Sequence, residues 1–370
     1  MKRTALTVFS AVTVLAAACG NSGSTRSSGP QEALKAGEPI NVGMITTLTG
    51  TYAALGTGDR QGATIATQQI NAAGGIKGHK INLIIKDDRT DPNQSVVAFN
   101  QLLSQKVVGV LGSANANAAI AVGPQAERAG LPYMSLTPSR QLIQPVKRHL
   151  FSLTPPSTPW AKRNLQWMQS EGIKKVAVVY ASDDTFHIDG NRDVGAMAKD
   201  YGISVVASEP IQTTATDFNT VLTKVRSSGA QALFLWVAGP AAVILTKQFD
   251  AAGMKKDTKL VMTGAEASTL YTQPAGAAAD GVVIDGYDAV IGDFLPSGPL
   301  KSVYDKLAVP SQQQYKTPPA QFTCDAYSGA MLLYEAMRQA KELTPAAITD
   351  ALNNLSLLTP SGRYTYTPTD

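Results

Sequence analysis

Ile70–Pro92 reads INAAGGIKGHKINLIIKDDRTDP, and its two halves follow different rules. Upstream of it, Ala63 and Ala66 fall with Ile70 on one helical face, and Asp59 is a candidate N-cap. The pair Gly74-Gly75 ends that helix, because glycine accepts the left-handed cap conformation without a Cβ penalty. INLIIKDD, from Ile81, is then a near-continuous apolar and β-branched run, the composition of a strand. Asp87 and Asp88 close the strand and cap the turn RTDP. Neighbours on a strand point to opposite faces, so this pair does not converge on one bond as an acid/base couple.

The same unit recurs in both directions. INVGMIT from Ile40, VVGVLGS from Val107 and LPYMSL from Leu131 complete a first set of strands. VAVVYAS from Val176, SVVASEPI from Ser204, ALFLWVA from Ala232 and KLVMTGA from Lys259 form a second set. Apolar strands separated by helices predict parallel sheets covered on both faces. The pattern occurs twice, so the fold class expected is α/β, with two Rossmann-like lobes. GVVIDGYDAVIGDFLPSGP, from Gly281, reads as a strand and a Pro/Gly-rich loop, and a long helix from about 322 to 340 buries Cys324.

Composition agrees. The chain has 370 residues, 44% hydrophobic and 16% charged, enough apolar material for two cores. A formal charge of +4 without a dense Lys/Arg tract argues against a nucleic-acid partner. The leader is more telling. Lys2 and Arg3 precede an apolar run from Ala5 to Ala18, too short to span a bilayer, which reads as a signal peptide over residues 1–18. Ala16-Ala17-Ala18-Cys19 resembles the lipobox of bacterial lipoproteins, with Ala16 where Leu is usual. It implies a lipidated Cys19, a flexible tether over 19–37, and a body held at the outer face of the cytoplasmic membrane or in the periplasm.

Catalytic signatures are missing. There is no G-x-S-x-G and no H-E-x-x-H, and His79, His149 and His187 lack ligand-like spacing. GTGDRQG, Gly56–Gly62, departs from the dinucleotide fingerprint in spacing and lies too far past its strand, so it reads as the turn before a helix. Neither an enzyme, a cofactor nor a metal is expected.

The segment from Gly50 through Ser113, and INAAGGIKGHKINLIIKDDRTDP within it most of all, resembles the type I periplasmic binding proteins of the leucine/isoleucine/valine-receptor family. These are substrate-binding components of ABC importers. AERAGLPYMS, KKVAVVYASDD, ATDFNTVLTKVRSSGAQALFL, FDAAGMK and CDAYSGAMLLYEAM extend the likeness from about residue 40 to about 360. The resemblance implies two discontinuous lobes, 38–155 plus 289–355 and 156–288 plus 356–370, joined by a three-strand hinge. Members usually continue past a strand like Arg363–Thr367, which implies either that the last strands of the second lobe are missing or that the chain is truncated.

The family closes its lobes on a small amino acid. Hydroxyls and backbone N–H groups of the first lobe hold the carboxylate, and an acidic residue of the second meets the ammonium. Carried over, Asn115 and Ala116 stand where the family often has Ser, and Asn115 and Asn117 can cap the helix and donate to a carboxylate. Thr137 and Ser139 match the carboxylate contacts, and Glu266, in TGAEAS, matches the ammonium position. Leu55, Phe186 and Ala238 replace family tyrosines, with Tyr52 and Trp236 nearby, which implies a larger and more apolar pocket. The expected function is capture of an apolar or branched-chain amino acid by hinge closure and delivery to an ABC permease. Urea, amides or aromatic carboxylates are the alternative ligands, and sensing for a membrane signalling partner is the alternative role.

Overall fold

The structure is a computed structural model that describes residues 34–137 and 139–369. The signal peptide, Cys19 and most of the tether lie outside the described residues.

Ten strands build two sheets. The first contains β1 (Ile40–Thr46), β2 (Ile81–Asp87), β3 (Val110–Leu111), β4 (Tyr133–Ser135) and β5 (Leu150–Ser152), in the order β2-β1-β3-β4-β5. The second contains β6 (Lys175–Ala181), β7 (Ser204–Ile211), β8 (Ala232–Trp236), β9 (Lys259–Met262) and β10 (Val283–Ile284), in the order β10-β9-β8-β6-β7. All ladders in both are parallel. Read from the other edge, the second order repeats the first. The two-lobe α/β reading is therefore correct, and β5 is a strand that the sequence pattern did not single out.

The apolar runs behave as doubly covered strands should. Every residue of ALFLW in β8 is buried. The opening segment also folds as its pattern requires. Gly75 has φ +84°, and a Cβ there would meet the His79 carbonyl oxygen at 2.1 Å, so only glycine makes this turn. Asp91 then caps the helix Pro92–Ser104 by accepting from the Asn93 N–H, with Pro92 preset for the first turn.

Two local expectations fail for one tertiary reason. The first helix runs Ala53–Ala72, so GTGDRQG lies inside it and Asp59 is not its cap. Gly56 and Gly62 are there because neighbours come too close for a side chain. A Cβ at Gly56 would lie 1.9 Å from the Thr47 carbonyl oxygen, and one at Gly62 would lie 2.1 Å from that of Thr323. Thr323 belongs to the helix Gln321–Gln339, the long helix expected near 322–340. The two helices thus cross at backbone contact over the first sheet. Asp59 is buried against that sheet and accepts from Thr46 Oγ1 at 3.2 Å. Cys324 is fully buried, and burial pushes its thiol far up.

β11 (Ser356–Thr359) and β12 (Gly362–Thr365) form an antiparallel hairpin of their own. Leu357, Tyr364 and Tyr366 pack against the core of the first lobe. Tyr366 donates to the Ser152 carbonyl at 3.0 Å and stacks edge-on against Phe151, 5.4 Å between centroids. Tyr364 of β12 and Tyr366 just beyond its end, two positions apart, give the hairpin an apolar face, and the Phe151 side of the first lobe covers it.

Candidate functional site

In each lobe the strand order reverses beside the first strand, between β1 and β3 and between β6 and β8. Open α/β sheets bind ligands at this switch point, beyond the carboxyl ends of the strands. Here the two switch points face one cavity. Tyr52, Leu55, Ala114 and Ala116, from the segments after β1 and β3, line one side. Asp184, Phe186, His187 and Ala238, from those after β6 and β8, line the other. Leu136, Thr137, Thr154, Trp160, Thr263–Ala265, Gln321, Phe322 and Asp325 complete the wall.

Polar contacts cross between the lobes around this cavity. Asn117 is a two-way bridge. Its Nδ2 donates to the Asp183 carbonyl at 2.9 Å, and its Oδ1 accepts from Thr185 Oγ1 at 2.6 Å and the Thr185 N–H at 3.2 Å. Arg140 pairs with Asp193 at 2.7 Å. Burial pushes the Asp193 carboxyl up, but Arg140, Ser157 and Thr158 outweigh it and hold it below the usual range. Tyr52 reaches Asp184 Oδ2 at 3.5 Å. The lobes are thus held shut by polar contacts that a hinge opening would break. Asn117→Ala removes three of them. Small-angle scattering should show a larger radius of gyration for the variant, and ligand affinity should fall roughly tenfold, the size of one or two such bonds.

The site residues named from sequence divide into two groups. Leu55, Ala116, Thr137, Phe186 and Ala238 line the cavity. Asn115, Ser139, Trp236 and Glu266 do not. Asn115 is the cap of the helix Ala116–Ala129 and accepts from the N–H groups of Asn117 and Ala118. Ser139 caps the short helix Arg140–Ile143, accepting from Leu142 N–H at 3.3 Å. Trp236 stands behind Phe186, their centroids 5.3 Å apart, and lies so close to Gly190 that a Cβ there would meet the indole at 2.1 Å. Glu266 lines a neighbouring pocket and accepts from the Gly239 N–H at 3.2 Å. Burial pushes its carboxyl up to about 8 against that single donor.

Several wall residues were not foreseen. Trp160, Gln321, Phe322 and Asp325 sit on helices whose apolar periodicity reads as core, and only an Asp inside CDAYSGAMLL signals otherwise. Thr137 Oγ1, Thr263 Oγ1, Gln321 Oε1 and Asp325 Oδ2 are buried without a protein partner. Buried polar atoms are normally hydrogen-bonded, so four such atoms around one cavity mark it as a place for a polar ligand. The wall carries two carboxyls, Asp184 and Asp325, and neither Lys nor Arg. Burial raises the Asp184 carboxyl, but His187, with Nδ1 3.2 Å from Oδ1, and two backbone N–H groups bring it below its ordinary value.

Comparison with known proteins gives a consistent answer. The chain is 23% identical over 337 residues to Leu/Ile/Val-binding protein homolog 7 of Brucella abortus (strain 2308), a match covering 88% of this chain and 83% of that protein. Among solved structures, it resembles the branched-chain amino acid transporter substrate binding protein LivJ from Streptococcus pneumoniae in complex with isoleucine. That match has a TM-score of 0.78 and 25% identity, and covers 89% and 92% of the two chains. A solute binding protein of an ABC transporter from Rhodopseudomonas palustris BisB5, in complex with 3,4-dihydroxybenzoic acid, superposes with a TM-score of 0.79 at 21% identity over 89% of each chain. The profile of the periplasmic binding protein family matches residues 39–370. With its paired parallel sheets and interlobe cavity, the chain belongs to the periplasmic binding protein family.

Proposed function

We propose that this protein is the solute receptor of an ABC importer and that it captures an α-amino acid with an apolar side chain between its lobes. The cavity wall carries the reading: two carboxyls, neither Lys nor Arg, unpartnered hydroxyls and a largely apolar surface. A buried ammonium needs an anionic partner, and the wall supplies one. The carboxylate of the same ligand is served by the Thr137 hydroxyl and by the backbone at Ala116, where the helix Ala116–Ala129 begins and its first N–H has no partner within the helix. Leu55, Leu136, Phe186 and Phe322 take the side chain. The protein performs no chemistry on its ligand; closure buries the solute, and the closed form is the one handed to the permease. The proposed Cys19 lipid anchor keeps the body beside that permease, outside the cytoplasmic membrane.

A second ligand class has its own support. Tyr52, Trp160, Phe186 and Phe322 bring four aromatic rings to the cavity wall, and a related solved protein holds an aromatic acid. An acid without an ammonium would face Asp184 and Asp325 with no Lys or Arg in the wall to offset them.

Calorimetric titration of protein starting after Cys19, against the twenty amino acids, urea, short amides and benzoate-type acids, decides between them. Binding of leucine, isoleucine or valine is expected. Intrinsic fluorescence should change on binding, because Trp160 lines the cavity, and Trp160→Phe should remove most of that signal. A protein that binds only benzoates would end the amino acid reading and leave the receptor class standing.

A further inference from the structure

Three carboxyls compete for the role of partner to the ligand's cation. Glu266, the residue the family resemblance points to, lies outside the cavity wall and already accepts from Gly239. Asp184 is engaged on both oxygens: Oδ1 serves the N–H groups of Phe186 and His187, and Oδ2 serves Tyr52. Asp325 is different. Its Oδ1 accepts from Ser361 Oγ at 2.8 Å, and its Oδ2 is buried without a protein partner on a residue of the cavity wall. The residue is only 1% exposed, so water does not serve that oxygen from outside.

Building on the amino acid reading, we propose that Asp325 of the first lobe, rather than Glu266 of the second, receives the ligand's ammonium, with Ser361 holding its other oxygen in place. Ser361 lies in the turn between β11 and β12, and its hydroxyl also contacts Ser328 Oγ at 3.2 Å on the same helix as Asp325. The carboxylate is therefore oriented by a fixed donor on one side and open on the other. The groups that face it do not neutralise it. Asp59, from the first helix, is buried close enough that Asp325 disfavours its charge. Tyr287, Tyr364 and Cys324 are neutral and sit in its field. A cation delivered by the ligand is the missing counter-charge. Burial holds the group up at about 8 against the Ser361 hydroxyl, as expected for a carboxyl without such a counter-charge.

The test uses matched ligands, leucine and its deaminated counterpart 4-methylpentanoate, titrated into the full mature body and into three variants. Wild type should prefer leucine by about 10- to 100-fold, the range for a hydrogen-bonded charge pair. Asp325→Asn should bring that ratio close to one, Asp325→Glu should restore part of it, and Glu266→Gln should leave it at the wild-type value. The ratio cancels general damage to the fold, which weakens both ligands alike. Retention of the preference in Asp325→Asn, or its loss in Glu266→Gln, overturns the proposal. Wild type that binds neither leucine nor any other α-amino acid overturns the amino acid reading itself, and this assignment with it.

Discussion

Gly62→Ala is expected to lower stability by about 3 kcal/mol or more, although alanine is the better helix former by about 1 kcal/mol. The added Cβ would lie 2.1 Å from the Thr323 carbonyl oxygen and 2.8 Å from the Tyr327 nitrogen. Both are backbone atoms of a buried helix, so neither can swing aside. The helices must separate instead, and Gln321, Phe322 and Asp325 move with them. A loss of ligand affinity should therefore accompany the loss of stability. Gly195 is the control. It is also helical, and nothing lies within 4 Å of where its Cβ would be. Gly195→Ala should be neutral or stabilising by up to about 1 kcal/mol. Urea midpoints for the two variants check the pair, and a wild-type midpoint for Gly62→Ala would show that the helices do not meet at backbone contact.

The second large effect is on pH. Burial pushes Glu266 up to about 8, Asp325 to about 8 and Asp285 to about 7, while Asp59 also stands well above its ordinary value. Each binds a proton in the folded protein over a range where the unfolded chain has released it. Where the native state holds more protons than the unfolded state, stability falls as pH rises. The window runs from the ordinary carboxylate range, near pH 4, to about pH 8, where the folded groups ionise too. Asp87, Asp184 and Asp193 are lowered and act in the opposite sense, but their contribution is lost only on acidification below that window. The ligand-free protein should therefore melt roughly 5 to 10 °C lower at pH 8 than at pH 5. Glu266→Gln and Asp325→Asn should each flatten the profile. A melting temperature that rises over this interval would mean that these carboxyls are ionised in the folded state.

Sequence carries some of this site and not the rest, for reasons visible in single residues. The turn at Gly74-Gly75 and the cap at Asp91 are local, so adjacent residue types disclose them. Thr137 and Ala116 follow strands, and position after a strand end is itself a signal in this fold class. Asn115 and Ser139 follow the same rule, yet their side chains are used as helix caps. GTGDRQG misleads because Gly58 and Gly62 answer to a helix more than 250 residues further along the chain, through contacts at Thr323 and Tyr327 that no local window contains. Asp325 was hidden for the same reason. Its helix is apolar and buried along most of its length, so it reads as core. The surface that covers the hairpin is not legible either, because period two announces a strand and nothing about its partner.

The matching strand orders of the two lobes carry one more consequence. Two copies of one topology, each with its switch point on the shared cavity, make the two sides of one jaw. A jaw with identical halves would hold an elongated solute equally well in either direction. What breaks the tie is chemistry laid on the shared frame: Thr137 and Asp325 on one half, Asp184 and Phe186 on the other. Direction, and with it chirality, is read from the differences between the halves, while their common scaffold can stay unchanged as those few side chains turn over.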